Sequence, residues 1–390
     1  MTLMRKLQTA IRNLFEIQIK DDILAELLDW PTLVLFSKWP KNFAIFSTIY
    51  CVFDTLVCTL VYSTLDVEML GKYAIFIAKS TIALCSFFSF FAKRKQYHKI
   101  INENFPHFWQ LQSMGESTFD QMKKIATTVK FYSCLSVVAM LIGAVILILF
   151  TEDESEIYLS VKIYKDYVNK WTTGYIMFFY ASFLYIGIVT AAVVFGLTYI
   201  VFHLIFQCFL LNQKLKLINS YIVKNGQKLV KLEERNQNFI YKELISCVKL
   251  HQRLIYFSNQ INDLLYAPIF MYTFSGIVVG VALIYFLKTS IQYILTSLVL
   301  SIVSLIITTT FVINGQLLED ETENIIISLT NLPWYSLNVQ NRRVVYVMLM
   351  QSQKIIHMSA SGIVSLNYQL TIVLFRCIYT AMTFLVNMGL

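Results

Sequence analysis

Asp54, Lys79 and Arg376 are ionisable side chains set inside long apolar runs. A charge there is expensive unless it is paired or faces water. Asp54 lies 12 residues into the run 42–64, and Lys79 lies 8 residues into the run 71–92. If the two runs cross a bilayer in opposite directions, the residues sit roughly 18 Å and 12 Å from opposite faces of a ~30 Å core. Both then lie at one depth, and an ion pair tying the two helices is expected. Lys79 bordering an internal cavity is the other reading. No enzyme constellation accompanies them, since Gly-rich phosphate loops, paired catalytic carboxylates and a nucleophile elbow are all missing from the sequence. Thr308-Thr309-Thr310 reads as helix packing. His98, His107, His203, His251 and His357 are scattered and read as solvated or core residues. The seven cysteines form no CxxC or Cys/His cluster, so no metal and no cofactor is expected. All seven fall in apolar runs or basic segments, so no structural disulfide is expected either.

The elements that must position these residues are seven apolar runs: 42–64, 71–92, 129–150, 174–197 (continuing to 211), 264–287, 291–313 and 361–390. About 20 apolar residues span a hydrocarbon core. Odd-numbered spans put the ends on opposite sides. Segments 1–41, 93–128, 212–263 and 314–360, with Lys130 at their edge, carry 25 of the 32 Lys and Arg. The loops on the other side hold five: Lys72, Lys162, Lys165, Lys170 and Lys288. Positive charge stays cytoplasmic, so the N-terminus is expected inside and the C-terminus outside. A G-protein-coupled receptor has the reverse orientation, and its basic triplet after span three and Asn-Pro-x-x-Tyr in span seven are absent. A transporter would bring inverted repeats and broken spans, and neither is visible.

Composition agrees. The chain is 57% apolar with 30 Phe and 23 Tyr, more than one soluble core can bury, so lipid takes the rest. Its net charge of +8 lies beside the membrane, where anionic lipid is the simpler partner, and nucleic acid is rejected. No secretory signal is visible before the first span, which is expected to act as its own insertion signal. The expected fold is an all-α membrane protein of seven transmembrane helices forming one domain, 1–390. Within it, 1–41 is a cytoplasmic prelude, punctuated by Trp30-Pro31 and Trp39-Pro40. Residues 42–313 hold spans one to six, 314–360 a cytoplasmic segment, and 361–390 span seven. Leu215, Ile218 and Ile222, then Leu229, Leu232, Leu244, Val248 and His251, keep helical spacing through 212–263. Spans four and five are therefore expected to continue as helices into the cytosol.

The last third of the chain carries a resemblance. Pro333-Trp334-Tyr335-Ser336-Leu337 is followed by Arg342-Arg343, then Met348-Leu349-Met350-Gln351-Ser352-Gln353-Lys354, then Ser361-Gly362-Ile363-Val364-Ser365-Leu366-Asn367. This resembles the C-terminal signature of insect odorant receptors, and 243–252 resembles the stretch before their fifth span. The run Thr380-Ala381-Met382-Thr383-Phe384-Leu385-Val386-Asn387-Met388 departs from the late span-seven pattern by Ala for Tyr and Asn for Gln. The long cytoplasmic insertion of the co-receptor is missing, so the chain is similar to a ligand-tuning subunit. A gustatory receptor of the same superfamily is the nearest alternative.

The resemblance implies a tetrameric, ligand-gated cation channel in the plasma membrane of a sensory neuron dendrite. Its partners would be co-receptor subunits in a heterotetramer, membrane lipid and a small volatile ligand. Span seven would line the pore, with Thr380, Phe384, Asn387 and Met388 at its outer constriction. An arginine ring would oppose cation flow there, so Arg376 is expected among neighbouring helices as a structural charge. The acidic outer loop 151–173 would cover an outward-facing cavity. Apolar burial must hold a volatile ligand. The ligand site is therefore expected in the outer half, from Tyr73, Phe76 and Lys79 of span two, Phe150 of span three, Tyr175, Phe178, Phe179, Ser182 and Tyr185 of span four, and Tyr285 of span five.

Overall fold

A computed structural model describes residues 94–149, 159–167, 172–226, 234–289, 294–360 and 364–387, with Ile23, Leu24, Leu27, Ile49, Val52 and Leu56 besides. The fold is all-α. The described helices are Arg94–Asn104 (α1), Glu116–Leu149 (α2), Leu159–Tyr167 (α3), Thr172–Gly226 (α4), Glu234–Thr289 (α5), Ile294–Thr330 (α6), Val339–Ser352 (α7) and Tyr368–Asn387 (α8). Expected spans three to six lie on α2, α4, α5 and α6. Spans one and two lie outside the described residues apart from Ile49, Val52 and Leu56, which are helical.

Helices α4 and α5 run 55 and 56 residues without a break. At 1.5 Å per residue each is roughly 80 Å long, far more than a ~30 Å hydrocarbon core requires. The continuous helices expected from the 212–263 pattern are thus present, except that 227–233 fall outside the described residues. Lys224 in the last turn of α4 and Glu234 in the first turn of α5 suit the dipoles of the two ends.

Two described stretches, Glu116–Gly143 and Val194–Asn225, are long and apolar enough to cross a membrane. A helix apolar all round is wrapped by lipid or by protein. The first bares Phe131, Leu135, Val138 and Ile142, a stripe suited to lipid. The second is wrapped by the chain itself: Tyr199, Phe202, Leu204, Phe206, Leu210, Leu211 and Leu215 are all buried. Each of those large side chains contributes about 1.5–3 kcal/mol by burial.

A wedge from the segment after α1 locks α4 to α5. Phe105 stacks within 4.8 Å of the His203 ring and 6.0 Å of Tyr199 and Phe257, and Phe108 meets Phe257 edge-on at 5.3 Å. Gln207 holds the backbone of Trp109 at both groups. Its Oε1 accepts from the Trp109 N–H at 3.0 Å and its Nε2 donates to the Trp109 carbonyl at 2.9 Å. The segment then turns into α2 at Gly115, whose φ of +96° suits a residue without a side chain.

Residues 361–390 were expected to be one helix, and the structure differs at its start. Ser359–Ala360 and Val364–Ser365 pair antiparallel, with Ser359 opposite Ser365. The helix begins only at Tyr368. Asn367 explains the boundary: its Oδ1 accepts from the Gln369 N–H at 3.0 Å, a side-chain cap that opens α8.

Candidate functional site: the C-terminal helix and its clasp

The N-terminal end of α8 is held from two sides. On α6, Gly315 faces the carbonyl of Leu366, and a Cβ built there would lie 1.6 Å from that oxygen. Only glycine allows this approach. Beside it, Asn367 Nδ2 donates to Glu319 Oε2 at 3.0 Å, and the Tyr368 N–H reaches Gln316 Oε1 at 3.4 Å. On α5, Asn262 Nδ2 donates to the His357 carbonyl at 2.9 Å and its Oδ1 accepts from the Ser359 N–H at 3.1 Å. Further along, a Cβ at Gly280 of α5 would lie 2.5 Å from Ile378 Cδ1. Helix α8 therefore lies close against α5 and α6 through its first turns.

The signature residues before α8 fold into a second fixed point. Arg342 donates from Nε to the Leu337 carbonyl at 2.8 Å and from Nη2 to the Tyr335 carbonyl at 2.9 Å, tying off the Trp334–Tyr335 turn. Asn338 caps α7 by accepting from the Asn341 N–H at 2.8 Å. Gln237 of α5 bridges both, donating to the Ser336 carbonyl at 2.9 Å and accepting from Asn341 Nδ2 at 2.8 Å. The rings of Trp334 and Tyr335 point outward and are exposed, as are Val339, Tyr346, Val347 and Met350 on α7. Such an apolar patch suits contact with another subunit or the membrane.

Around this frame lie buried polar groups. Lys214 of α4 and Glu243 of α5 form a part-buried ion pair at 2.5 Å. Ser328 Oγ donates to Asn212 Oδ1, linking α6 to α4. Burial pushes the Glu321 carboxyl up, opposed by Asn324, Lys216 and Asn212. His251 is buried, its Nε2 meets no hydrogen-bond partner among the described residues, and burial lowers its pKa to about 4.

The structure separates the sequence-derived site residues into three groups. Asp54, Tyr73, Phe76, Lys79, Phe150 and Met388 lie outside the described residues. Tyr175, Phe178, Phe179, Ser182 and Tyr185 share one face of the first turns of α4, by their helical spacing. Tyr285 lies near the end of α5. Tyr221 hydrogen-bonds Asn236 at 3.1 Å and Lys214 pairs with Glu243, which sets an antiparallel register between α4 and α5. Carried along both helices, that register puts Tyr285 level with the start of α4. Thr380, Phe384 and Asn387 are exposed on α8, Phe384 at 61%. Arg376 is exposed too, on the side turned away from α5 and α6. Sequence reasoning missed Gly315, Gly280, Asn262, Gln316 and Glu319. Only Asn367, a capping residue ahead of an apolar run, carried a local signal.

Fold and site together define an all-α bundle with over-long central helices and a short, clasped C-terminal helix. Residues 66–379 match the model of the 7tm Odorant receptor family, and the chain belongs to that family of membrane receptors, not enzymes. The chain is also similar in fold to the insect olfactory receptor OR5 from Machilis hrabei. The TM-score is 0.64 at 9% identity, covering 90% of each chain. The structure of that receptor in complex with eugenol gives a TM-score of 0.64 at 10% identity, covering 98% of this chain and 99% of that one. No curated protein sequence matches the chain.

Proposed function

We propose that this chain is the ligand-tuning subunit of an odorant-gated cation channel in the plasma membrane of a sensory neuron. It crosses the membrane seven times as a single domain, with its N-terminus cytoplasmic, in a heterotetramer with co-receptor subunits. The observation that carries the reading is α8, which is clasped to α5 and α6 at its inner end and bares Thr380, Phe384 and Asn387 at its outer end. A helix clasped at its first residues suits a gate toward its far end. Phe384 and Met388 would form a hydrophobic constriction that closes by dewetting, and Asn387 would offer an amide to a hydrated cation when it opens. The exposed patch on α7 supports packing between subunits.

The ligand is a small apolar volatile. The relative solved with eugenol supports this class of molecule. Its site would be built from Tyr73, Phe76, Lys79, Phe150, Tyr175, Phe178, Phe179, Ser182, Tyr185 and Tyr285. By the α4–α5 register, with Gly280 against Ile378, Tyr175 and Tyr285 would stand level with the turns of α8 around Thr380, and the other four on α4 nearer its start. Asp54 and Lys79 would neutralise one another between spans one and two. Whole-cell recording with an odorant panel, on cells expressing the chain with and without the co-receptor, tests the reading. Odorant-evoked cation current only in the co-expressing cells is expected. Equal current from the chain alone would assign a homotetramer, and silence in both would remove the channel function.

A further inference from the structure

We propose that Arg376 faces the water-filled lumen of the channel and limits its permeability to divalent cations. The inference rests on α8 being the pore helix.

Leu370, Leu374 and Ile378 are the residues of α8 turned toward the rest of the chain. Leu370 is buried, Leu374 packs on the core and Ile378 abuts Gly280. The opposite side carries Gln369, Ile372, Arg376, Thr380, Thr383 and Asn387 at spacings of three and four, which is one face of a helix. Five of these six are polar, on a helix whose remaining residues are almost all apolar. Arg376 lies in the middle of that face and is exposed. A guanidinium halfway along a membrane helix does not face lipid, so this side of α8 meets water or another protein surface.

The threonines suit a polar lining. Thr380 Oγ1 donates to the Arg376 carbonyl at 2.8 Å, and Thr383 Oγ1 donates to the Thr380 carbonyl at 2.9 Å. Each hydroxyl proton is used within the helix, which leaves the oxygen lone pairs outward as acceptors. With the Asn387 amide oxygen they make a lining suited to a hydrated cation. Arg376 sets a fixed positive charge one turn below it. At about 8 Å in water, a unit charge lowers the local concentration of a monovalent cation roughly twofold and of a divalent one roughly fivefold. Four such charges on one axis would strongly oppose cation flow. That geometry suits a chain present in fewer than four copies per channel, with uncharged partners supplying the other pore helices.

The test uses the full chain with its co-receptor and reads the calcium-to-sodium permeability ratio from reversal potentials of the odorant-evoked current. Arg376→Gln is expected to raise the ratio about twofold or more, and Arg376→Lys to leave it unchanged. In a Cys377→Ser background, Arg376→Cys is expected to react with charged methanethiosulfonates. A positively charged adduct should return the ratio toward wild type, and a negatively charged adduct should raise it further. Should Arg376→Cys not reach the surface, Gln369→Cys on the same face carries the same reaction test. An unchanged ratio in Arg376→Gln, or a conducting channel whose face cysteine ignores both reagents, overturns the inference. A wild-type pair that gives no odorant-evoked cation current is a different failure, that of the pore reading itself.

Discussion

His251 is an imidazole with no exposed surface to speak of and a pKa held down to about 4 by burial, against an ordinary 6.5. The folded protein keeps it neutral while the unfolded chain takes up a proton as the pH falls. Its contribution to stability is therefore complete above pH 6.5 and is lost as the pH drops from 6.5 toward 4. The linked free energy is on the order of 3 kcal/mol. Melting of the detergent-purified protein should fall between pH 7.5 and 5, and His251→Phe should flatten that fall; an unchanged slope would mean the ring is not buried as described. Cys247 behaves alike for a thiol: burial pushes it up to about 12. It should stay unlabelled by a maleimide at pH 8 in the folded protein and react after denaturation. Rapid labelling of Cys247 in the native protein would show that α5 opens toward solvent there.

Among the elements, the α6–α8 junction is the most tightly specified. Gly315→Ala places a methyl into the Leu366 carbonyl, and backbone cannot swing aside as a side-chain tip can. We expect a loss of about 1–3 kcal/mol of stability and a raised resting current in the channels that reach the surface. Normal melting with normal resting current would mean that Leu366 is not docked on α6. Asn367→Ala should cost about 1 kcal/mol through the lost cap, together with its bond to Glu319. These partners explain what was and was not legible in the sequence. Helix continuity through 212–226 and 234–251 was written in the spacing of Leu215, Ile218, Ile222, Leu244 and Val248, because periodicity is local. Asn367 was readable as a cap for the same reason, yet the pairing of 359–360 with 364–365 was not, since two-residue strands have no period to read. Gly315 and Glu319 lie about 50 residues from the groups they touch, and nothing local announces such a meeting. The exposed side of Arg376 was likewise hidden until Ile378 and Gly280 fixed how α8 is turned.

At the scale of the whole molecule, the proposed function divides its tasks along the length of the protein. The buried stretch of α4, the Phe105 wedge and the Gln237–Asn341 bridge pack together at one end. The proposed ligand face of α4 and the proposed gate on the last turns of α8 would lie at the other end. Ligand choice and conduction should then be separable by mutation. Single-channel recording from patches expressing the chain with its co-receptor tests this most directly, comparing wild type, Ser182→Phe and Phe384→Ala. Ser182→Phe should shift half-maximal concentrations about tenfold for some odorants, ~1.4 kcal/mol of binding, and reorder the panel at unchanged unitary conductance. Phe384→Ala should raise resting open probability and leave the odorant ranking intact. Altered conductance with intact ranking in Ser182→Phe, or a reordered panel with normal resting activity in Phe384→Ala, would contradict the account.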